Sequence, residues 1–316
     1  MEQPLLKTKD LTVGFQVGVK KLIAVDRMNL TIDKGEVMCL LGETGCGKSV
    51  FGSSILKLLP NNAFVHGSIY FEGTDVVPLS DEKFRAFRGT GIAAVPQSPA
   101  TSLNPLKRVG KQVDEMYRLH VKNDKEEARK NTIDLFRELG LPRLPELAEN
   151  FPFELSGGMK QRVLVAMGTA ASPKFLIVDE PTKGLDWVRK REVVERIGHL
   201  QQQYQSAMLL ITHDFTVAEA LADFIGVMYA GEIVEFGRKD EVLEHPIHPF
   251  TQGLINALPK NGFHALKGFS PPLSDIPDGC RLHPRCPHAT EKCRQVHPEM
   301  EDLQSRHVAR CLYADI

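Results

Sequence analysis

Eight consecutive residues, Gly42-Glu43-Thr44-Gly45-Cys46-Gly47-Lys48-Ser49, have the types and spacing of the phosphate loop G-x-x-x-x-G-K-S/T. Glycines let the backbone curl until successive N–H groups converge on phosphate oxygens, and a helix starting there adds its partial positive charge. Lys48 is expected to reach the β- and γ-phosphates and the Ser49 hydroxyl to ligate Mg²⁺. A glycine-rich turn that binds nothing is the competing reading. It is the poorer one, because the whole motif lies between an apolar strand at 36–41 and a helix expected over 50–59, with Pro60 as its stop. The chemistry is recognition of a nucleoside triphosphate.

Two further constellations extend it. Asp179-Glu180 ends the apolar run Phe175-Leu176-Ile177-Val178. A carboxylate at the C-terminal edge of a parallel sheet can hold Mg²⁺ directly or through water, and Glu180 beside it can polarise an attacking water as general base. Acidic residues also end strands as mere solvated caps; the upstream phosphate loop is what favours the catalytic reading. In Leu155-Ser156-Gly157-Gly158-Met159-Lys160-Gln161-Arg162, a serine caps a helix whose first turn carries only glycines. Such a start is a second anion site of backbone N–H groups, or simply a capped helix.

The elements that must position these groups follow from periodicity. Residues 5–32 read as antiparallel strands with Phe15 between them, equally suited to stacking on an adenine face or to packing in the sheet. Short buried strands are expected at 67–73, 92–95, 175–178 and 208–211, and a hairpin at 225–236. Helices are expected at 188–204 and 214–224. Residues 98–105 read as a turn-rich loop, and about 100–165 as a helical subdomain whose charge run at 122–130 is a solvated helix surface. The fold class is α/β: a mainly parallel sheet with an antiparallel edge. The expected division is 1–245 for the nucleotide-binding domain and 246–316 for a proline- and cysteine-rich extension.

Composition narrows the function. The 316 residues suit one large domain with an appendage, and 39 basic against 40 acidic residues leave a formal charge of −1. No global basic field recruits nucleic acid, so no nucleic-acid partner is expected. Neither an export signal nor an apolar run near the roughly 18 residues of a membrane span is present, so a soluble, cytoplasmic chain is expected. Structural disulfides are not expected in that compartment.

The octet 155–162 closely resembles the signature of ATP-binding-cassette (ABC) ATPases, and further marks fall in that family's order. Gln97 matches the Q-loop, Asp179 and Glu180 the Walker B pair, Gly184-Leu185-Asp186 the D-loop and His213 the H-loop. The resemblance implies a P-loop NTPase fold and a nucleotide sandwiched between one chain's phosphate loop and a facing chain's signature. Glu180, His213 and Gln97 are then the catalytic group, with Gln97 also a Mg²⁺ ligand beside Ser49, and Asp179 reaching the ion through water. Phe15, residues 42–49, Val50, Ser156, Gly157, Gly158, Gln161 and Asp186 are implied to contact nucleotide. Val95-Pro96-Gln97-Ser98-Pro99, His248-Pro249-Phe250-Thr251 and Gly279-Cys280-Arg281-Leu282-His283-Pro284-Arg285-Cys286-Pro287 resemble oligopeptide, dipeptide and nickel importer ATPases. Met159 resembles the first of the two ATPase paralogues of such importers. The implied partners are a second, paralogous ATPase subunit, two membrane permease subunits and an extracytoplasmic solute-binding protein. The implied place is the cytoplasmic face of the inner membrane. Thr182-Lys183-Gly184-Leu185-Asp186-Trp187 departs from the family's small-residue D-loop and puts a cation and the only tryptophan at the expected dimer interface.

Four of six cysteines, Cys280, Cys286, Cys293 and Cys311, crowd the C-terminus. Zinc knuckles favour paired C-x2-C, which is absent, whereas iron–sulfur ligation tolerates varied spacing. The resemblance implies a 4Fe–4S cluster on the four, ahead of zinc and of unliganded thiols, with Arg281, Arg285 and Lys292 offsetting its negative charge. Two other functions fit parts of the pattern: an ABC ATPase regulated by redox change at these cysteines, and an ABC ATPase of DNA maintenance. The latter carries long coiled coils between phosphate loop and signature, and residues 50–154 show no sustained heptads.

Overall fold

The computed structural model describes residues 3–122, 124–300 and 307–314. They form two compact units. The first joins Met1–Ile32, Val37–Pro78 and Ile211–Ile316, and the second joins Asp33–Glu36 and Leu79–Leu210.

The first unit contains two sheets. Strands β1 (Leu6–Val17), β2 (Lys20–Ile32), β4 (Ala63–Phe71) and β5 (Thr74–Asp75) form an antiparallel sheet in the order β2-β1-β4-β5. The strands at 6–32 are longer than the sequence suggests, and Phe15 lies within β1, half-buried and opposite Leu22 and Ala63. The second sheet has β3 (Val37–Leu41) parallel to β9 (Phe224–Tyr229), which pairs antiparallel with β10 (Glu232–Arg238) and through it with β11 (His307–Ala309). All five residues of β3 are buried, which is why its sequence is apolar throughout instead of alternating. Helix α1 (Lys48–Ile55) packs on β1 and β2, and α8 (Phe215–Leu221), α9 (Lys239–Glu244), α10 (Pro249–Asn256) and α11 (Glu291–Gln295) complete the unit.

Two helices of this unit stop early, each for a local reason. Helix α1 ends four residues before the expected Leu59 because Lys57 turns left-handed (φ 53°), closing the end with Lys57 N to Ser54 O and Leu58 N to Ser53 O bonds. Helix α8 ends at Leu221 because Asp223 is drawn to β3: its N–H donates to Val37 O, and its Oδ2 accepts from Val37 N at 2.8 Å.

In the second unit β6 (Ile92–Val95) runs parallel to β7 (Phe175–Asp179), with β8 (Ala207–Thr212) on the far side of β7; the last two residues of β8 belong to the first unit. The short α2 (Asp81–Phe84) and α3 (Pro99–Ser102) precede α4 (Val109–Met116), α5 (Lys125–Glu138) and α6 (Gly157–Thr169); α3 interrupts the expected loop at 98–105. Helices α4, α5 and α6 pack on one another through Val113, Ala128, Leu135, Phe136 and Leu164, leaving most of the 125–130 charges in solvent as expected. Helix α7 (Trp187–Tyr204) packs on α6 through its Val193, Ile197 face.

Candidate nucleotide-binding site

The phosphate loop runs from the end of β3 into α1. Gly42, Gly45 and Gly47 have φ of 156°, 86° and 112°. A Cβ at Gly42 would stand 2.3 Å from Met228 O, and one at Gly47 2.1 Å from Ala24 O. Their glycines are therefore demanded twice, by backbone conformation and by neighbouring main chain. No side chain caps α1, so its first N–H groups are left for a ligand. Lys48 is buried, and its Nζ donates to Gly42 O at 2.7 Å and Glu43 O at 2.9 Å, which bends the ammonium back across the loop's mouth. Thr44, Gly45 and Ser49 are exposed, Glu43 and Val50 half-buried and Cys46 buried. Burial pushes the Cys46 thiol up against the opposing charge of Lys48, so it stays protonated and inert.

Glu43 is held by groups distant in sequence. Arg285 donates from Nη1 and Nη2 to its two carboxylate oxygens at 2.9 and 3.0 Å, and the Ser270 hydroxyl donates to the same group. Burial raises the Glu43 carboxyl, but the hydrogen bonds of Arg285 and Ser270 and the charges of Arg285 and Lys48 outweigh it and hold it below the ordinary value. In the same unit His213 is exposed just beyond β8, followed by Asp214, whose carboxylate accepts from Thr216 N and caps α8.

The second unit carries the other predicted residues. Gln97 is half-buried two residues after β6. Asp179 ends β7, and Glu180, the next residue, is buried with φ 48°. Ten other non-glycine residues among those described, Lys57 included, share the left-handed region, so the conformation by itself does not mark Glu180 as functional. Ser156 caps α6, its Oγ accepting from Met159 N at 3.4 Å. Gly157 is exposed with nothing within 4 Å of its Cβ position, whereas Gly158 is buried against Arg189. Gln161 is buried, and its Nε2 has no hydrogen-bond partner. Asp186 is exposed and accepts from Arg189 N at 3.1 Å, capping α7, with Trp187 and Val188 exposed after it.

Cys280, Cys286, Cys293 and Cys311 line one cavity of about 380 Å³ together with His283 and His288. All four are free thiols, and burial with the neighbouring thiols pushes Cys280 up to about 11. Among the described residues no group of three or more His, Cys, Asp or Glu side chains is gathered closely enough to hold a metal ion. The expected charge compensation by arginine is not what is found. Arg281 bonds Asp26 and Ala230 O and lies 3.6 Å from Glu232, Arg285 is committed to Glu43, and Lys292 is exposed.

Sequence reasoning missed the acid groups inside β10. Glu235 is fully buried, accepting from Ile247 N, His248 N and His307 Nε2 at 2.8 Å each, and Glu232 meets His297 at 2.9 Å. A signal existed: glutamates at 232 and 235 inside an apolar hairpin require partners, and the C-terminal stretch supplies histidines and arginines.

Comparison with known proteins places the chain in a family. A family model described as ABC transporter matches residues 25–183, and one described as oligopeptide/dipeptide transporter, C-terminal region, matches residues 234–293. The chain is 38% identical to the oligopeptide transport ATP-binding protein OppD of Bacillus subtilis, covering 97% of this chain and 88% of that protein. It is 39% identical to the dipeptide transport ATP-binding protein DppD of Haemophilus influenzae, covering 96% and 94%. Among solved structures, a dimeric ATP-binding cassette in a post-hydrolysis state bound to ADP and Pi is similar over 74% of this chain and 98% of that one, with 26% identity and a TM-score of 0.67.

Proposed function

We infer, from a chain that belongs to the family of ABC transporter ATP-binding subunits of the oligopeptide/dipeptide type, that ATP hydrolysis here powers uptake of peptides or a related solute, such as a nickel complex, through membrane subunits. The observation that carries the reading is the phosphate loop, whose Gly42 and Gly47 are locked by φ and by main-chain contact and whose buried Lys48 already lies across its mouth. The backbone of residues 42–49 with Lys48 holds the phosphates, Val50 adjoins them, and Phe15 stacks on adenine. Ser49 and Gln97 ligate Mg²⁺ and Asp179 reaches it through water. Glu180 takes the proton of the attacking water and His213 contacts the γ-phosphate.

Ser156, Gly157, Gly158, Gln161 and Asp186 serve the nucleotide of a facing cassette, the second, paralogous ATPase subunit, with this chain as the first of the pair. The open position at Gly157 supports that role, because among the described residues nothing lies within 4 Å of its Cβ position. Two permease subunits and a solute-binding protein complete the transporter, and the chain works peripherally at the cytoplasmic face of the inner membrane. No helix among the described residues is long and apolar enough to cross a membrane, which suits a peripheral position. Residues 1–245 form the nucleotide-binding domain and 246–316 the extension.

The extension's four cysteines hold a 4Fe–4S cluster. Support comes from their lining one cavity. Anaerobically purified protein should contain about four irons and four acid-labile sulfides per chain; protein lacking both overturns the cluster.

The hydrolytic assignment is tested with Glu180→Gln. The variant should bind MgATP normally while turnover by the assembled transporter falls roughly 10²- to 10⁴-fold. Turnover near the wild-type rate removes Glu180 as the base. A complete, active transporter assembled without the paralogue overturns the heterodimer.

A further inference from the structure

The Cys280–Cys286 segment meets the phosphate loop directly through Arg285 and indirectly through Arg281. Arg281, fully enclosed beside Cys280, donates to Ala230 O and Asp26, and the next residue, Gly231, donates its N–H to Cys46 O at 2.9 Å. Arg285, beside Cys286, grips the side chain of Glu43 through both terminal nitrogens. Two further donors are committed, Nε to Lys267 O at 3.3 Å and Nη1 to Ser270 Oγ at 3.2 Å, so four of its five N–H groups are bonded. The guanidinium lies 5.6 Å from the ring centre of Tyr229 and 5.9 Å from that of Phe250, and its side chain is 6% exposed. So fixed a fork cannot follow Glu43 if the loop moves; it holds the loop instead.

Glu43 is an anion on a loop that must receive a triphosphate. Left bare, it opposes the phosphates and competes with them for Lys48. We propose that Arg285 is a positioning residue of the nucleotide site, which clamps and neutralises Glu43 so that the phosphate loop meets ATP without an opposing carboxylate. This role rests on ATP binding at the loop and not on what the thiol cavity holds. It also joins the extension to the site physically, since Arg285 is the residue before Cys286.

A merely structural arginine and a neutralising one are separated by second-site rescue. A fluorescent MgATP analogue is titrated into the purified full chain, with iron content measured on each sample. Arg285→Gln should weaken binding on the order of tenfold, the size of an uncompensated like charge in a partly solvated site. The deficit should shrink as salt is raised from about 0.05 to 0.5 M. Adding Glu43→Gln to Arg285→Gln should restore affinity to within about threefold of wild type, because the stranded charge is gone. Arg285→Met, which keeps the packing on Tyr229 and Phe250, takes its place if Arg285→Gln does not fold. Affinity unchanged within about twofold in the arginine variant, or a double variant no tighter than the single, overturns the proposal. Rescue without recovery of iron supports it, and iron loss without rescue marks Arg285 as structural only.

Discussion

Helix α1 starts just after Gly47 and α6 starts on Gly157, and both beginnings are read as phosphate-binding, yet the chain treats them differently. At α1 the glycines are fixed from within: Gly42 and Gly47 stand against the main chain at Met228 and Ala24, and no side chain takes the first N–H groups. At α6 the serine cap takes one N–H, and Gly157 faces open space. The first start is a finished cradle, and its glycines are needed for this chain to fold. The second has a glycine that folding does not ask for, so its requirement lies with whatever comes to occupy the space. One chain thus carries a helix start fixed from within and another whose first glycine is left open; under the proposed function a facing cassette fills the second.

The contrast is broken or sharpened by substituting the two glycines. Gly47→Ala should destabilise the chain by roughly 2–4 kcal/mol, from the left-handed backbone and the overlap with Ala24 O, and abolish nucleotide binding. Gly157→Ala should leave denaturation midpoints unchanged or slightly higher, because alanine is the better helix former, while transporter ATPase drops about tenfold or more. Equal destabilisation by the two would erase the distinction between the starts. The smallest effect is expected from Ser156→Ala: loss of the cap costs about 1 kcal/mol locally and frays the first turn of α6. Hydrogen exchange at Met159 reads this directly, and unchanged protection there would mean the cap does not hold the turn.

Most of the candidate site was legible because its motifs are local. A phosphate loop must follow a strand and start a helix within a few residues, so its glycines, Lys48 and Ser49 declare themselves together. Asp179-Glu180 and Ser156-Gly157-Gly158 read the same way, as strand end and helix start. Element ends were less legible. Lys57 is an ordinary helix former that closes α1 by turning left-handed, and Asp223 stops α8 because β3 needs a partner for Val37 N. Neither cause is visible in a window of neighbouring residues. The charge roles of the C-terminal arginines were misread for the same reason. Beside four thiols, Arg281 and Arg285 suggest compensation of a cluster, but their carboxylates lie at Asp26, Glu232 and Glu43.

What the sequence determined by itself is the set of local motifs: a phosphate loop, an acid pair at a strand end, a serine-capped helix start with two glycines and four thiols near the C-terminus. Those depend on residue type and short spacing, which folding can only place, not change. What the tertiary structure decided is how the cradle is held. Glu43 and Arg285 are 242 residues apart, and packing of Arg285 against Tyr229 of β9 and Phe250 of α10 brings them together. A carboxylate in a phosphate loop has no meaning in the linear sequence beyond an ordinary variable position; its charge is settled by the partner that the fold delivers.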